Sequence, residues 1–298
     1  MIRTLGLVKR YGSHAALDGV DLKVPPGSVY GLAGPNGAGK TTLLGILAGL
    51  RKATEGEVSV DAEPGRVAVL PDTPRFDPWL TGREVVALAL ALSSKRGSST
   101  ALENVDRVDE VLGQAGLEEA SGRRCGGYSR GMLQRLGIAS TLVARPALIL
   151  LDEPASALDP QGRREVLDLI ATLRGHATVL FSSHILGDVQ EVCDTVGILH
   201  HGRLLFQGPL ADLLVGRAVP RYELRVRNGP DAVAAALSQE QWVRSASSAE
   251  GGIVHIEVTS LAEAERHLAG ALASTGASIV SLRPEELSLE RAFLELTS

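Results

Sequence analysis

One stretch of nine residues constrains this chain more than any other: Gly34-Pro35-Asn36-Gly37-Ala38-Gly39-Lys40-Thr41-Thr42. It follows a strand-like run at residues 29–33 and leads into helix-forming residues 43–48, the context that a phosphate-binding loop requires. Glycines let successive backbone N–H groups turn toward phosphate oxygens, and the following helix points its positive end at the same anion. The stretch therefore predicts a site for a nucleoside triphosphate.

The side chains of this loop have separate expected roles. Lys40 is predicted to reach the β- and γ-phosphates, and the Thr41 hydroxyl to ligate Mg²⁺. The other loop residues predicted to bind the nucleotide are Asn36, Gly37, Ala38, Gly39 and Thr42. A glycine-rich turn before an ordinary helix is the alternative, and the matching context on both sides disfavours it.

Composition narrows the class of protein further. The chain has 298 residues, 44% of them hydrophobic, and a formal net charge of −5, which argues against a nucleic-acid binder. Its two cysteines, Cys125 and Cys193, are too far apart for a metal motif and fit a reducing compartment. We find neither a secretory signal nor a membrane-spanning apolar run, so we expect a cytoplasmic protein.

Two regions of different pattern follow one another along the chain. Residues 1–215 alternate strand and helix patterns, which predicts a largely parallel, layered α/β domain, interrupted by a mostly helical insert at about 76–145. Residues 217–298 form a smaller α+β unit whose element order indicates a ferredoxin-like or related split βαβ arrangement. That second unit contains no motif that we can assign to chemistry.

Two carboxylates and a histidine follow predicted strands of the first domain. Asp152 and Glu153 come directly after the apolar run at 147–151, where a metal contact and a general base for water are expected. Helix-capping acids are the ordinary alternative. His184 follows the strand at 178–181, at the sheet edge where ligands gather in open α/β sheets. Residues 128–135 open a further helix with a Ser-x-Gly turn, a second anion-binding terminus.

Taken together, these motifs resemble the nucleotide-binding subunits of ABC transporters over residues 1–215. The matching features are the Walker A loop Gly34–Thr41, the Walker B strand Leu148–Asp152, the catalytic glutamate Glu153, the D-loop Ser156–Asp159, the switch histidine His184, the signature Tyr128–Met132 and the adenine-stacking aromatic Tyr11. The resemblance implies a P-loop NTPase core of the ABC ATPase type with a helical subdomain. It also implies that Ser129, Gly131 and Met132 contact ATP.

Two motifs depart from the usual family pattern. The signature reads Tyr-Ser-Arg-Gly-Met, which is similar to the Tyr-Ser-Lys-Gly-Met variant of ABC-2-type exporters. Asp72 stands where the family has Gln, and often Glu in this subgroup. A carboxylate at Asp72 can ligate Mg²⁺ or can act mainly in sensing a membrane partner.

The resemblance implies a function and an assembly. Two copies would pair head to tail with ATP between one phosphate loop and the other signature, and would drive export through a separate transmembrane permease. The subunit would then lie at the cytoplasmic face of the membrane through that partner. A soluble ABC ATPase of DNA repair or translation and an importer subunit are the alternatives. For the C-terminal unit, a dimer-stabilising or partner-contact role is preferred over a regulatory small-molecule site.

Overall fold

The computed structural model describes residues 1–63, 65–93, 101–156, 158–215, 221–284 and 289–297. It divides into two compact units, Met1–Asp212 with Phe293–Ser298, and Leu213–Ala292. The domain boundary predicted at 215–217 falls beside this division, but residues 216–220 lie outside the described residues. The exact boundary therefore stays a prediction.

The elements up to residue 215 alternate between strands and helices. The strands are β1 Ile2–Tyr11, β2 His14–Val20, β3 Lys23–Val24, β4 Val29–Ala33, β5 Glu55–Val60, β6 Val67–Leu70, β7 Leu148–Leu151, β8 Thr178–Ser183, β9 Thr195–His200 and β10 Arg203–Pro209. The helices are α1 Lys40–Leu47, α2 Gly82–Ser93, α3 Ala101–Gln114, α4 Arg130–Leu142, α5 Pro160–Thr172, α6 Leu186–Val192 and α7 Leu210–Val215.

A six-stranded sheet with the order β10-β9-β4-β8-β7-β6 is the centre of the first unit. Strands β9, β4, β8, β7 and β6 are parallel, and β10 pairs with β9 in the antiparallel sense. Every residue of β4, β7 and β8 is buried, as expected of central parallel strands covered on both faces. The predicted parallel core is confirmed, whereas β10 was not anticipated from the sequence.

A second sheet and a group of helices complete this unit. Strand β1 pairs antiparallel with β2, β3 and β5, and this sheet packs through Leu7, Leu17 and Leu22 into the same core as Leu43 of α1. Helices α2, α3 and α4, which follow β6 and precede β7 in the sequence, pack on one another. They correspond to the predicted helical insert. Because β4, β7 and β8 are parallel neighbours, their carboxyl ends bring three separate chain segments to one sheet edge.

The second unit has the element order β-α-β-β-α-β. Its elements are β11 Arg221–Val226, α8 Pro230–Leu237, β12 Val243–Ala249, β13 Ile253–Val258, α9 Leu261–Ser274 and β14 Ile279–Pro284, and the final helix α10 covers Leu289–Thr297. The antiparallel sheet order β12-β13-β11-β14 is the ferredoxin-like arrangement. Strand β12 was missed because its Arg, Ser and Ala residues show no apolar alternation.

Candidate active site

The loop between β4 and α1 depends on glycine at two positions. Gly39 has φ 108°, and a Cβ atom there would lie 2.4 Å from the Ala16 carbonyl oxygen. A Cβ atom on Gly34 would lie 2.2 Å from the Leu199 carbonyl oxygen. Residues with side chains would push the loop away from β2 and β9, so its shape depends on close contacts with both sheets.

The loop presents unpaired backbone donors to solvent. Within the described residues, the N–H groups of Gly37, Gly39, Lys40, Thr41 and Thr42 donate to no protein acceptor. The Ala38 N–H donates to the Pro35 carbonyl at 3.2 Å. Asn36, Gly37 and Thr41 are exposed around them. These donors, together with the positive end of α1, form a cradle for an anion. The geometry fits the predicted triphosphate site, although the individual contacts remain predictions.

Lys40 is the buried cation of this cradle. Its residue is only 5% exposed, and its ammonium donates to the carbonyl oxygens of Gly34 at 2.7 Å and Pro35 at 3.2 Å. The same Nζ lies 3.1 Å from Glu153 Oε1. Burial makes this charge interaction stronger than it would be at the surface, so Lys40 and Glu153 are electrostatically linked across the sheet edge.

A serine holds the two consecutive acids after β7. The Ser182 hydroxyl donates to Asp152 Oδ1 at 2.7 Å and accepts from the Glu153 N–H at 2.9 Å. Ser182 is fully buried and Asp152 is 8% exposed, whereas Glu153 adopts the left-handed region with φ 48°. Such a backbone is sparsely populated for a residue with a side chain, and strain of this kind concentrates at functional sites. The two carboxylates consequently point in fixed and separate directions.

His184 completes the group at the end of β8. Its Nδ1 lies 2.7 Å from Glu153 Oε2, and its backbone N–H donates to the same oxygen at 3.3 Å. The Glu153 carboxylate therefore contacts Lys40 through one oxygen and His184 through the other. A positioned carboxylate at a phosphate-binding loop can act as a general base for an attacking water.

The oxygen ligands at this edge fit a magnesium ion bound together with phosphates. Asp152 has its second carboxylate oxygen available, and Thr41 places a hydroxyl in the first turn of α1. Among the described residues no cluster of three His, Cys, Asp or Glu could hold a metal. Mg²⁺ needs none when one or two protein oxygens combine with phosphate oxygens and water. Asp72, two residues beyond β6, is exposed and accepts a hydrogen bond from the Thr73 hydroxyl. Its role as a metal ligand stays a prediction.

Tyr11 lies at the end of β1, close to Thr42 of the phosphate loop. Its ring is 44% exposed, and its hydroxyl accepts a 2.6 Å hydrogen bond from Arg51 Nη1. The Arg51 bond lowers the pKa of the Tyr11 phenol. An exposed, anchored aromatic ring is a suitable stacking surface for a nucleobase.

The signature residues lie at the start of α4. The Ser129 hydroxyl caps the helix by accepting from the Met132 N–H at 3.2 Å. Gly131 leaves the first turn uncrowded, since a Cβ atom there would lie no closer than 3.9 Å to its nearest neighbour, the Gly162 Cα. Within the described part of the chain, no hydrogen bond or ion pair joins residues 128–132 to residues 34–42. One chain thus brings together the phosphate loop, Asp152, Glu153 and His184, but not the signature.

Sequence reasoning assigned no role to Ser182 or Arg51. Ser182 could have been found, since it is a polar residue directly after the apolar run 179–181 of β8 and precedes His184 by two positions. Arg51 follows α1 in an exposed segment without periodicity, and its contact with Tyr11 spans 40 residues. No local pattern indicates that contact.

Comparison with known proteins decides the family. The ABC transporter family matches residues 17–156. An uncharacterized ABC transporter ATP-binding protein of Bacillus subtilis, YxlF, is 42% identical over 72% of this chain and 72% of its own length. The daunorubicin/doxorubicin resistance ATP-binding protein DrrA of Streptomyces peucetius is 33% identical over 99% of this chain and 92% of its own.

The chain belongs to the ABC transporter ATP-binding proteins. Among solved structures, the dimeric post-hydrolysis state of the ATP-binding cassette MJ0796 bound to ADP and Pi matches 70% of this chain and 99% of that one, with a TM-score of 0.63 and 28% identity. This ABC protein is therefore an ATPase with the ABC-type P-loop fold. The assignment of its chemistry to the cluster around Glu153 stays a prediction. No helix in its described ranges is long and apolar enough to cross a membrane.

Proposed function

We propose that this ABC ATPase drives export through a separate transmembrane permease, as a head-to-tail homodimer at the cytoplasmic face of the membrane. One observation carries the proposal: the phosphate loop, Asp152, Glu153 and His184 converge, whereas Ser129, at the signature, has no hydrogen bond to any of them among the described residues. A second copy that supplies its signature would complete the site. The dimeric cassette MJ0796 supports the pairing of two copies. The drug-resistance protein DrrA supports export as the direction of transport.

In the proposed dimer, ATP lies between one cradle and the start of the partner's α4. The triphosphate carries more negative charge than Lys40 and one helix terminus neutralise, so a second helix terminus favours closure. Tyr11 stacks on the base, and Thr41 and Asp152 ligate Mg²⁺, which neutralises charge on the phosphates. Met132 of the second copy lies in the helical turn that faces the phosphates.

Hydrolysis then depends on the geometry around Glu153. The γ-phosphate attracts Lys40, which frees one oxygen of Glu153 from its 3.1 Å ion pair. Glu153 accepts a proton from the attacking water, and His184 keeps the carboxylate oriented through its 2.7 Å contact. Nucleotide binding itself would thereby release the general base.

A groove beside edge strand β6 is the proposed dock for the permease. It has a volume of about 300 Å³ and is lined by α2, α4 and the loop after β6, including Pro74, Arg75, Phe76 and Ala89. Gly137 of α4 keeps it open to Leu70, because a Cβ atom there would lie 2.5 Å from Leu70 Cδ1. An apolar helix with an acidic end fits this surface.

Purification from native membranes tests the proposal against its rivals. A tagged Glu153→Gln chain, loaded with ATP, is expected to co-purify a multi-spanning membrane protein from detergent extract. Ala89→Arg, inside the groove, should abolish this association, while Val105→Arg, on the exposed surface of α3, should leave it intact. Full ATPase activity in a chain that never associates with membrane protein would support the soluble alternative. Co-purification of a solute-binding protein would support an importer.

The ferredoxin-like unit is proposed to stabilise the dimer or contact the partner. Replacement of residues 221–284 by a short linker leaves Phe293–Ser298 in the first unit. It should weaken self-association and permease capture while the P-loop unit stays folded. A regulatory small-molecule site, the alternative, predicts unchanged assembly and a changed response of the ATPase rate to metabolites.

A further inference from the structure

The ring of Tyr11 is held by a segment that follows the phosphate-loop helix. After α1 ends at Leu47, the backbone N–H groups of Leu50 and Arg51 both donate to the Gly45 carbonyl at 2.9 Å. The Arg51 side chain then extends to the Tyr11 hydroxyl, with Nη1 2.6 Å from the oxygen. Helix α1 therefore connects the phosphate cradle to the aromatic ring through Arg51.

Gly45 allows this path. A Cβ atom at Gly45 would lie 2.9 Å from Arg51 Cδ and 3.0 Å from Nε, closer than ordinary contacts. The arginine stem thus lies directly against the backbone of α1, and its guanidinium is directed along a defined route. Glycine in a helix interior costs about 1 kcal/mol relative to Ala, so a packing reason for it is informative.

A second cation, Lys9, lies over one face of the Tyr11 ring. Lys9 Nζ lies 5.0 Å from the centre of the Tyr11 ring and donates to the Lys52 carbonyl at 2.8 Å. Its ammonium is within cation–π distance, so the two ring faces are unequal. The opposite face is the one left for a planar ligand.

We propose that Arg51 is a positioning residue for nucleotide binding, which acts only through the Tyr11 hydroxyl to hold the ring at a fixed angle for the base. This inference rests on the proposed stacking of Tyr11 on adenine. The Tyr11 hydroxyl is also close to the Thr42 side chain. Arg51 itself has no described hydrogen bond or ion pair with residues 34–42, so its effect should concern the base and not the triphosphate. A ring that is already held in place loses less conformational entropy when the ligand binds, so binding is tighter.

A double-mutant cycle tests the proposal. Arg51→Leu should raise KM for ATP about threefold to tenfold, the range of one solvent-accessible hydrogen bond, with kcat nearly unchanged. Tyr11→Phe should raise KM at least as much, since it also removes the interaction of the hydroxyl with Thr42. Arg51→Leu in the Tyr11→Phe background should add nothing. Lys52→Leu, the neighbouring exposed cation whose side chain has no described partner, is the matched control and should leave KM unchanged.

Inorganic tripolyphosphate separates base from phosphate effects because it lacks a base. Its inhibition constant should be the same in Arg51→Leu and in the unmodified chain. Equal weakening of ATP and tripolyphosphate, or additive effects of the two substitutions, would overturn the proposal. Tyr11→Ala tells the two hypotheses apart: unchanged KM rejects the stacking itself, whereas raised KM with an unaffected Arg51→Leu variant rejects only the role of Arg51.

A spectroscopic titration provides a readout that a merely structural role would not move. The chain has four tyrosines, and burial raises the pKa of Tyr30, Tyr128 and Tyr222, while the Arg51 hydrogen bond lowers the pKa of Tyr11. Tyr11 should therefore ionise first in the ultraviolet difference spectrum. Tyr11→Phe should remove that transition and Arg51→Leu should move it to higher pH. A first transition that stays in place in Arg51→Leu would contradict the contact.

Discussion

Lys40 Nζ lies 3.1 Å from Glu153 Oε1, while Glu153 Oε2 lies 2.7 Å from His184 Nδ1. The carboxylate proposed to activate water is thus shared between the cation of the phosphate loop and the histidine after β8. The ion pair with Lys40 offsets the negative charge of this carboxylate. A phosphate that attracts Lys40 would change the charge environment of Glu153 at the moment the base is needed.

Removing the charge of Glu153 tests its role as the base. Glu153→Gln keeps the size and the contact with His184 but cannot accept a proton, so kcat should fall by about two to four orders of magnitude. ATP binding should persist, because Lys40 and the backbone donors remain. Steady-state hydrolysis and equilibrium nucleotide binding measure the two quantities. Glu119→Gln, an exposed acid in a turn, is the control, and wild-type turnover in Glu153→Gln would disprove the assignment.

Ser182→Ala removes the hydroxyl that joins Asp152 and the Glu153 N–H. Both groups are left without that partner in a buried site, so the free energy of unfolding should fall by about 1–3 kcal/mol. Because Asp152 loses its orientation, the Mg²⁺ concentration for half-maximal activity should rise about tenfold to a hundredfold. Chemical denaturation and a Mg²⁺ titration measure these changes. Ser274→Ala, which loses only a local bond within α9, should alter neither quantity.

Ser129→Asp separates helix capping from nucleotide contact. Aspartate caps a helix as well as serine does, so the melting temperature should stay nearly unchanged. A carboxylate there would face the γ-phosphate of ATP in the proposed dimer, so turnover should drop at least about tenfold through charge repulsion. Ser260→Asp makes the same change at the cap of α9, where Ser260 accepts from the Glu263 N–H, and should leave turnover unchanged. Normal activity in Ser129→Asp would contradict the signature contact.

The buried hydroxyl of Tyr30 should make the free energy of unfolding depend on pH in the alkaline range. Its hydroxyl is buried against Gly197 with no hydrogen-bond partner in the described residues, and burial raises its pKa. The unfolded chain releases this proton near pH 10 while the folded chain keeps it. The stability that Tyr30 contributes is therefore fully present below pH 10 and falls as the pH rises above it.

Tyr30→Phe should weaken that alkaline loss and raise the free energy of unfolding at pH 7 by about 1 kcal/mol, because an unpaired buried hydroxyl is removed. Denaturant unfolding between pH 7 and 11 measures both effects. Tyr11→Phe, on the surface, should leave the alkaline loss in place. Burial also raises the pKa of Cys193, so part of the loss should begin at lower pH and persist in Tyr30→Phe.

The sequence was informative where chemistry and burial leave a local pattern. The phosphate loop, the fully apolar β7 and the acids after it predicted the parallel sheet and its ligand edge, because these features are contiguous in the chain. The contacts of Ser182 and Arg51 join residues 30 and 40 positions apart, so only the folded chain reveals them. Strand β12 lacked an apolar pattern because Ala246 is its main inward contact besides Val243.

Complementation between two defective chains tests the central claim, that each site needs two copies. Lys40→Ala disables the phosphate loop and Ser129→Asp the signature, so both homodimers should be inactive. An equimolar mixture forms mixed dimers for about half of its molecules, each with one intact site, so activity should recover to about a quarter of the unmodified level if sites act independently. Circular dichroism should show that both variants are folded. Recovery to that level is the predicted result, and a mixture as inactive as its components would contradict the account.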